Sequence, residues 1–159
     1  MDLLTFSDII NIAIRMEQNS IEFYNKLSSR AVTEDARSMF KAFIGQEKEH
    51  LKVFKKAHEL IASRQIVTIE TFVEKSGSYK NILNHLRTEN ISKDVNNITQ
   101  ALEVAACFEK DSALFYNELR KSASGREVFD ILETVIREEK DHFRMLTNLR
   151  KRINDNFNA

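Results

Sequence analysis

The chain has 159 residues, enough for one domain around a single core. It is 42% hydrophobic and 30% charged, with no proline, no tryptophan and three glycines, so the usual helix interrupters are nearly missing. Its 24 basic residues balance 24 acidic ones, and no net field favours nucleic acid or an anionic membrane.

The opening, "MDLLTFSDII", has an acidic residue at once and no basic segment ahead of its apolar residues, so it does not read as a signal peptide. Apolar runs along the chain are only a few residues long, far short of a membrane span. A cytoplasmic protein is the simplest expectation.

A first helix is predicted over about 7–30, with Ile10, Ala13, Ile14, Ile21 and Tyr24 on one stripe. A second begins after Thr33, an N-cap residue followed by the acidic turn Glu34 and Asp35. It carries Phe40, Phe43, Ile44, Leu51, Phe54 and Ile61, closing a hairpin over about 7–64. Residues 65–93 are less regular and contain the breaker Ser76-Gly77-Ser78. A connection this long can cross the length of a bundle whose helices are roughly 40 Å long. A third helix, over about 94–121, places Ile98, Leu102, Ala105 and Tyr116 together and holds the single Cys107, which excludes an intramolecular disulfide. The fourth opens on Ser124-Gly125-Arg126-Glu127, a capping-box pattern, and continues through Leu132, Val135, Ile136, Phe143 and Leu146, giving a second hairpin over about 94–154. The short joints near 31–33 and 122–124 require antiparallel neighbours. The fold class is therefore all-α: two antiparallel helical hairpins joined by a long crossover in one domain.

The sequence repeats itself. A shift of 92 residues carries Glu17 onto Glu109, Phe23-Tyr24-Asn25 onto Phe115-Tyr116-Asn117, Glu47-Lys48 onto Glu139-Lys140 and His50 onto His142. Two similar hairpins have arisen by duplication.

Each hairpin holds a lone Glu 30 residues before the Glu of a Glu-x-x-His pair, with the midpoint in the predicted turn. Residues equidistant from an antiparallel turn lie at the same height, so Glu17 faces Glu47 and Glu109 faces Glu139. Positions i and i+3 share a face, which adds His50 and His142. Four carboxylates and two imidazoles then converge in one core, where even one uncompensated charge costs several kcal/mol. No Lys or Arg occupies the matching core positions. Two divalent cations would balance four carboxylates, and this donor set suits iron, manganese or zinc.

The motifs "EQNSIEFY", "EKEH", "FEKDSALFY" and "EKDH", at this spacing, resemble the rubrerythrin-like branch of the ferritin-like superfamily over nearly the whole chain apart from the crossover. The resemblance implies a ferritin-like four-helix bundle, commonly a homodimer, with a carboxylate-bridged di-iron centre. It makes Glu17, Glu47, His50, Glu109, Glu139 and His142 the ligands of two irons, with Glu47 and Glu139 as bridges. Two departures matter. Rubrerythrin proper carries a rubredoxin domain with a four-cysteine iron site, which one cysteine cannot build. It also has a further carboxylate one turn beyond the third-helix ligand, at about Ser112 here, which puts the ligand exchange of its peroxide chemistry in question.

Neighbouring residues carry weaker signals. Tyr24 and Tyr116 stand seven residues beyond Glu17 and Glu109, placed either to hydrogen-bond ligand carboxylates or bridging solvent, or simply to pack. Gln46 and Glu138 are placed either to orient the histidine of the opposite hairpin or to face solvent. His58 reads as structural or exposed, and His85 and Cys107 receive no role.

The resemblance implies an oxidoreductase that reduces hydrogen peroxide or dioxygen, in defence against oxidative stress, with electrons from an external donor such as a rubredoxin. A ferroxidase that oxidises and stores or delivers iron is the alternative, and a non-catalytic metal-bound bundle the third reading.

Overall fold

The computed structural model describes residues 6–62, 98–122 and 126–157. The crossover at 65–93, with His85, and Ser124 and Gly125 of the capping box lie outside these residues. Four helices make up the described chain: α1 Phe6–Arg30, α2 Glu34–Ala62, α3 Ile98–Ser122 and α4 Arg126–Phe157. None is long and apolar enough to cross a membrane.

Local chemistry sets the one described joint. Thr33 ends the three-residue link, its Oγ1 accepting from the Ala36 amide at 3.2 Å, so one of the free donors of α2 is satisfied. Glu34 and Asp35 place negative charge on the same helix start. Arg37 donates back to the Ala31 carbonyl at 3.1 Å, tying the turn to the helix it opens.

α1 packs chiefly on α2, and α3 on α4; the two pairs meet through α1 against α3 and α2 against α4. Contacts across the pairs fix direction. Tyr24 meets Glu109 while Tyr116 meets Glu17, so α1 and α3 run antiparallel. Gln46 meets His142 while Glu138 meets His50, so α2 and α4 do too. The two halves are thus exchanged by an approximate twofold axis, the spatial form of the 92-residue repeat.

Two apolar clusters fill the bundle. One gathers Ile9, Ile10, Ala13, Met16, Phe54, Phe115, Tyr116, Leu119, Leu132, Val135 and Ile136. The other gathers Phe23, Tyr24, Leu27, Phe40, Phe43, Ile44, Leu102, Phe108 and Leu146 with small alanines. Each fully buried large side chain contributes about 1.5–3 kcal/mol, and this burial offsets a polar layer held between the clusters.

Two expected stripe residues stand outside these clusters: Leu51, which is half-buried, and Phe143. Phe143 was placed on the α4 stripe, yet it is 38% exposed, whereas Leu132, Val135, Ile136 and Leu146 are buried. His142 and Leu146 take the inward face, which turns Phe143 to the edge of the stripe, in a surface cleft shared with Leu114.

Candidate metal centre

Between the two apolar clusters lie Glu17, Glu47, His50, Glu109, Glu139 and His142, each no more than 3% exposed. They come from all four helices: Glu17 from α1, Glu47 and His50 from α2, Glu109 from α3, Glu139 and His142 from α4. Among the described residues no Lys or Arg is buried with them.

Their ligand atoms form two overlapping groups. Glu17, Glu47, His50 and Glu139 each bring one atom to within 4.8 Å of the others, and so do Glu47, Glu109, Glu139 and His142. Glu47 and Glu139 belong to both groups, the geometry a pair of bridging carboxylates requires. Both imidazoles turn Nδ1 inward. That of His50 lies 3.2 Å from Glu139 and 3.4 Å from Glu47, and that of His142 lies 3.0 Å from Glu47 and 3.5 Å from Glu109.

These inward atoms are close without being satisfied. Both oxygens of Glu47, Oε2 of Glu139 and Nδ1 of His50 and His142 are buried and complete no hydrogen bond. Buried polar atoms are nearly always paired, and five orphans gathered in one buried cluster are costly unless cations take their lone pairs. A pair of divalent cations fits this donor set, four carboxylates supplying charge balance and two imidazoles completing the coordination.

The outward atoms, by contrast, are held. Nε2 of His50 lies 2.7 Å from the Glu138 carboxylate, and Nε2 of His142 lies 2.9 Å from Oε1 of Gln46. Gln46 and Glu138, placed by sequence either against a histidine or in solvent, therefore each touch the histidine of the opposite hairpin. The Tyr24 hydroxyl donates to Glu109 and the Tyr116 hydroxyl to Glu17, each reaching across to the other half rather than along its own helix. Four of the six buried side chains are thus each braced by one other: His50, His142, Glu109 and Glu17.

Electrostatics follow from burial. Glu17 and Glu139 are pushed well above the usual carboxylate range, first by loss of solvation and then by the neighbouring carboxylates. Glu47 goes the other way: burial alone would raise it, but Glu17 and both histidines stabilise its charge. Burial would lower both histidines, yet the carboxylates around them win; His50 is raised far and His142 to about 9. Protons thus stand in for positive charge within the cluster. Tyr24 and Tyr116 are raised by burial and by adjacent carboxylates, so both remain protonated donors.

Several features were not foreseen. Phe43 lies over His142, ring centroids 4.2 Å apart and planes tilted by 34°. Phe54 stacks on Tyr116 at 5.0 Å. The repeat partner of Phe43 is the smaller Val135, and beside His50 a groove of about 800 Å3 runs between α2 and α4, lined by Val53, Val135 and Glu138 among others. The 92-residue alignment carried that signal, since it sets Phe43 against Val135. Ser112, where the further carboxylate would stand, is buried and offers only a hydroxyl. His58 lies away from the centre, paired with the Ser7 hydroxyl at 3.0 Å. Cys107 is exposed.

The rubrerythrin family model matches residues 8–150 of the chain. A crystal structure from Thermotoga maritima, described as a ferritin-like diiron-carboxylate protein, is similar with a TM-score of 0.70 and 23% identity, over 95% of this chain and 97% of that one. At that identity the likeness is one of fold. No curated protein matches the chain.

Proposed function

The chain belongs to the rubrerythrin family, a ferritin-like four-helix bundle, and from that premise we propose that Glu17, Glu47, His50, Glu109, Glu139 and His142 hold two metal ions, iron in the working protein. On this reading Glu47 and Glu139 would be shared by the two ions, while Glu17 with His50 and Glu109 with His142 would each complete one position. The observation that carries it is the set of five buried, unsatisfied donor atoms within two overlapping ligand groups.

Bound there, a pair of irons supplies one-electron steps between ferrous and ferric states, and the function we infer is reduction of hydrogen peroxide or dioxygen. The chain's own residues prepare the site for it. Glu138 and Gln46 hold the imidazoles with Nδ1 inward, Tyr24 and Tyr116 fix one oxygen each of Glu109 and Glu17, and apolar clusters flank the site on both sides. No second redox site is present among the described residues, which supports an external electron donor such as a rubredoxin. The family resemblance also supports a cytoplasmic homodimer acting against oxidative stress.

The test is stopped-flow mixing of the anaerobic ferrous-loaded protein with hydrogen peroxide. Oxidation many-fold faster than that of free ferrous ion, with iron uptake ending near two per chain, is the expected result. Oxidation at the free-ion rate would overturn the redox reading, and uptake far beyond two irons would mark the protein as an iron store.

A further inference from the structure

The duplication exchanges like for like at the centre: Glu17 with Glu109, Glu47 with Glu139, His50 with His142 and Tyr24 with Tyr116. Among the polar side chains that touch these ligands, one pair breaks the match, just as Phe43 and Val135 do among the apolar ones. The residue before the Glu of each Glu-x-x-His motif is Gln46 in the first hairpin and Glu138 in the second. These are the two side chains that touch the outward nitrogens of the histidines.

The consequence is chemical. With Nδ1 of each imidazole turned inward as a lone pair for a cation, Nε2 carries the proton and donates outward. For His142 the acceptor is a neutral amide oxygen at 2.9 Å; for His50 it is a carboxylate at 2.7 Å. A charged acceptor makes the stronger bond and renders the imidazole a better donor to metal. It also adds a negative charge beside one position only. Glu138 is about one-third exposed, while His50 is buried.

Resting on the di-metal reading above, we propose that the two positions are inequivalent. The position formed by Glu17, Glu47, His50 and Glu139 takes the first divalent cation, binding it at least tenfold more tightly than the position formed by Glu47, Glu109, Glu139 and His142 takes one. Glu138 is the positioning residue responsible. A second cation meets repulsion from the first wherever that one sits, so unequal binding steps alone do not identify the cause. The location of the first ion does.

The test uses Co2+ and the full chain. Crystals of protein loaded with one equivalent, read by anomalous scattering, are expected to show the ion beside His50. In the double exchange Gln46→Glu with Glu138→Gln it is expected beside His142. Calorimetric titration should show the first step weakened tenfold or more in Glu138→Gln, with two ions still bound. Glutamine at 138 can hold the ring as Gln46 does, so a merely structural contact would leave that affinity unmoved. Equal occupancy of the two positions at one equivalent, or an unchanged first step in Glu138→Gln, overturns the inequivalence while sparing the di-metal reading. Failure of wild-type protein to bind Co2+ overturns both.

Discussion

The Tyr24 hydroxyl on α1 donates to the Glu109 carboxylate on α3, a partner 85 residues away in sequence. Tyr116 repeats the contact on Glu17 in the other direction. Each bond fixes a carboxylate of the centre from the half of the bundle that does not carry it.

Tyr24→Phe keeps the ring and its packing against Phe40 and Phe43 and removes only the donor. Leaving a buried acceptor unpaired costs about 1–3 kcal/mol. We expect chemical denaturation of metal-free protein to show a loss in that range, and titration to show weaker metal binding. Unchanged values in both would mean the hydroxyl contributes packing alone.

Glu47 belongs to both groups of ligand atoms, so Glu47→Ala should remove the stabilisation that metal confers. A ligand at about 100 times its dissociation constant stabilises the folded state by about 2.7 kcal/mol. Wild-type Tm should therefore rise on adding ferrous or cobaltous ion, and the variant's should not. A variant that still gains Tm with two ions bound would displace Glu47 from the bridging role.

In the metal-free protein, pH acts through groups the fold holds protonated. Glu17 and Glu139 are raised well above their ordinary value of 4.5, and His142 is raised from 6.5 to about 9. Each contributes stability that is full below its unfolded pKa and lost as pH rises toward the folded one, because the native state then binds more protons than the unfolded state. Glu47, shifted down, acts only on the acid side of 4.5. Stability should thus fall between pH 5 and pH 9, by about 1.4 kcal/mol per pH unit for each proton retained. Urea melts across that range check the sign; a rise with pH would contradict it.

Metal binding should move the opposite way. Cations displace those protons, so affinity should strengthen from pH 6 to pH 8. Calorimetry in buffers of different ionisation enthalpy should register proton release on binding. Binding without proton release would mean that the cluster does not hold protons where the cations go.

Two phenylalanines offer a contrast on packing. Phe54 is 2% exposed within the core, whereas Phe143 is 38% exposed at the edge of its helix stripe. Phe54→Ala should cost about 3–5 kcal/mol and Phe143→Ala less than about 1 kcal/mol. Similar losses at both sites would place Phe143 in a buried contact.

Much of this was legible in the sequence because it is local. Helix extent follows from the missing prolines and glycines, and the shared face of Glu47 with His50 follows from their i, i+3 spacing. The level at which Glu17 meets Glu47 follows from counting back from a three-residue turn, and the likeness of the two hairpins was written in the 92-residue repeat. Other features depended on the rotation of each helix about its own axis and on how the two halves meet, neither of which a single stripe records. That rotation turned Phe143 outward and laid Phe43 on His142. The docking of the halves chose Glu109 for Tyr24 and Glu138 for His50, settling alternatives that spacing left open. Sequence determined which donors share a helix face, because periodicity is a property of one helix. Only the tertiary structure decided which of them touch, because contacts between helices depend on angles and distances the chain acquires on folding.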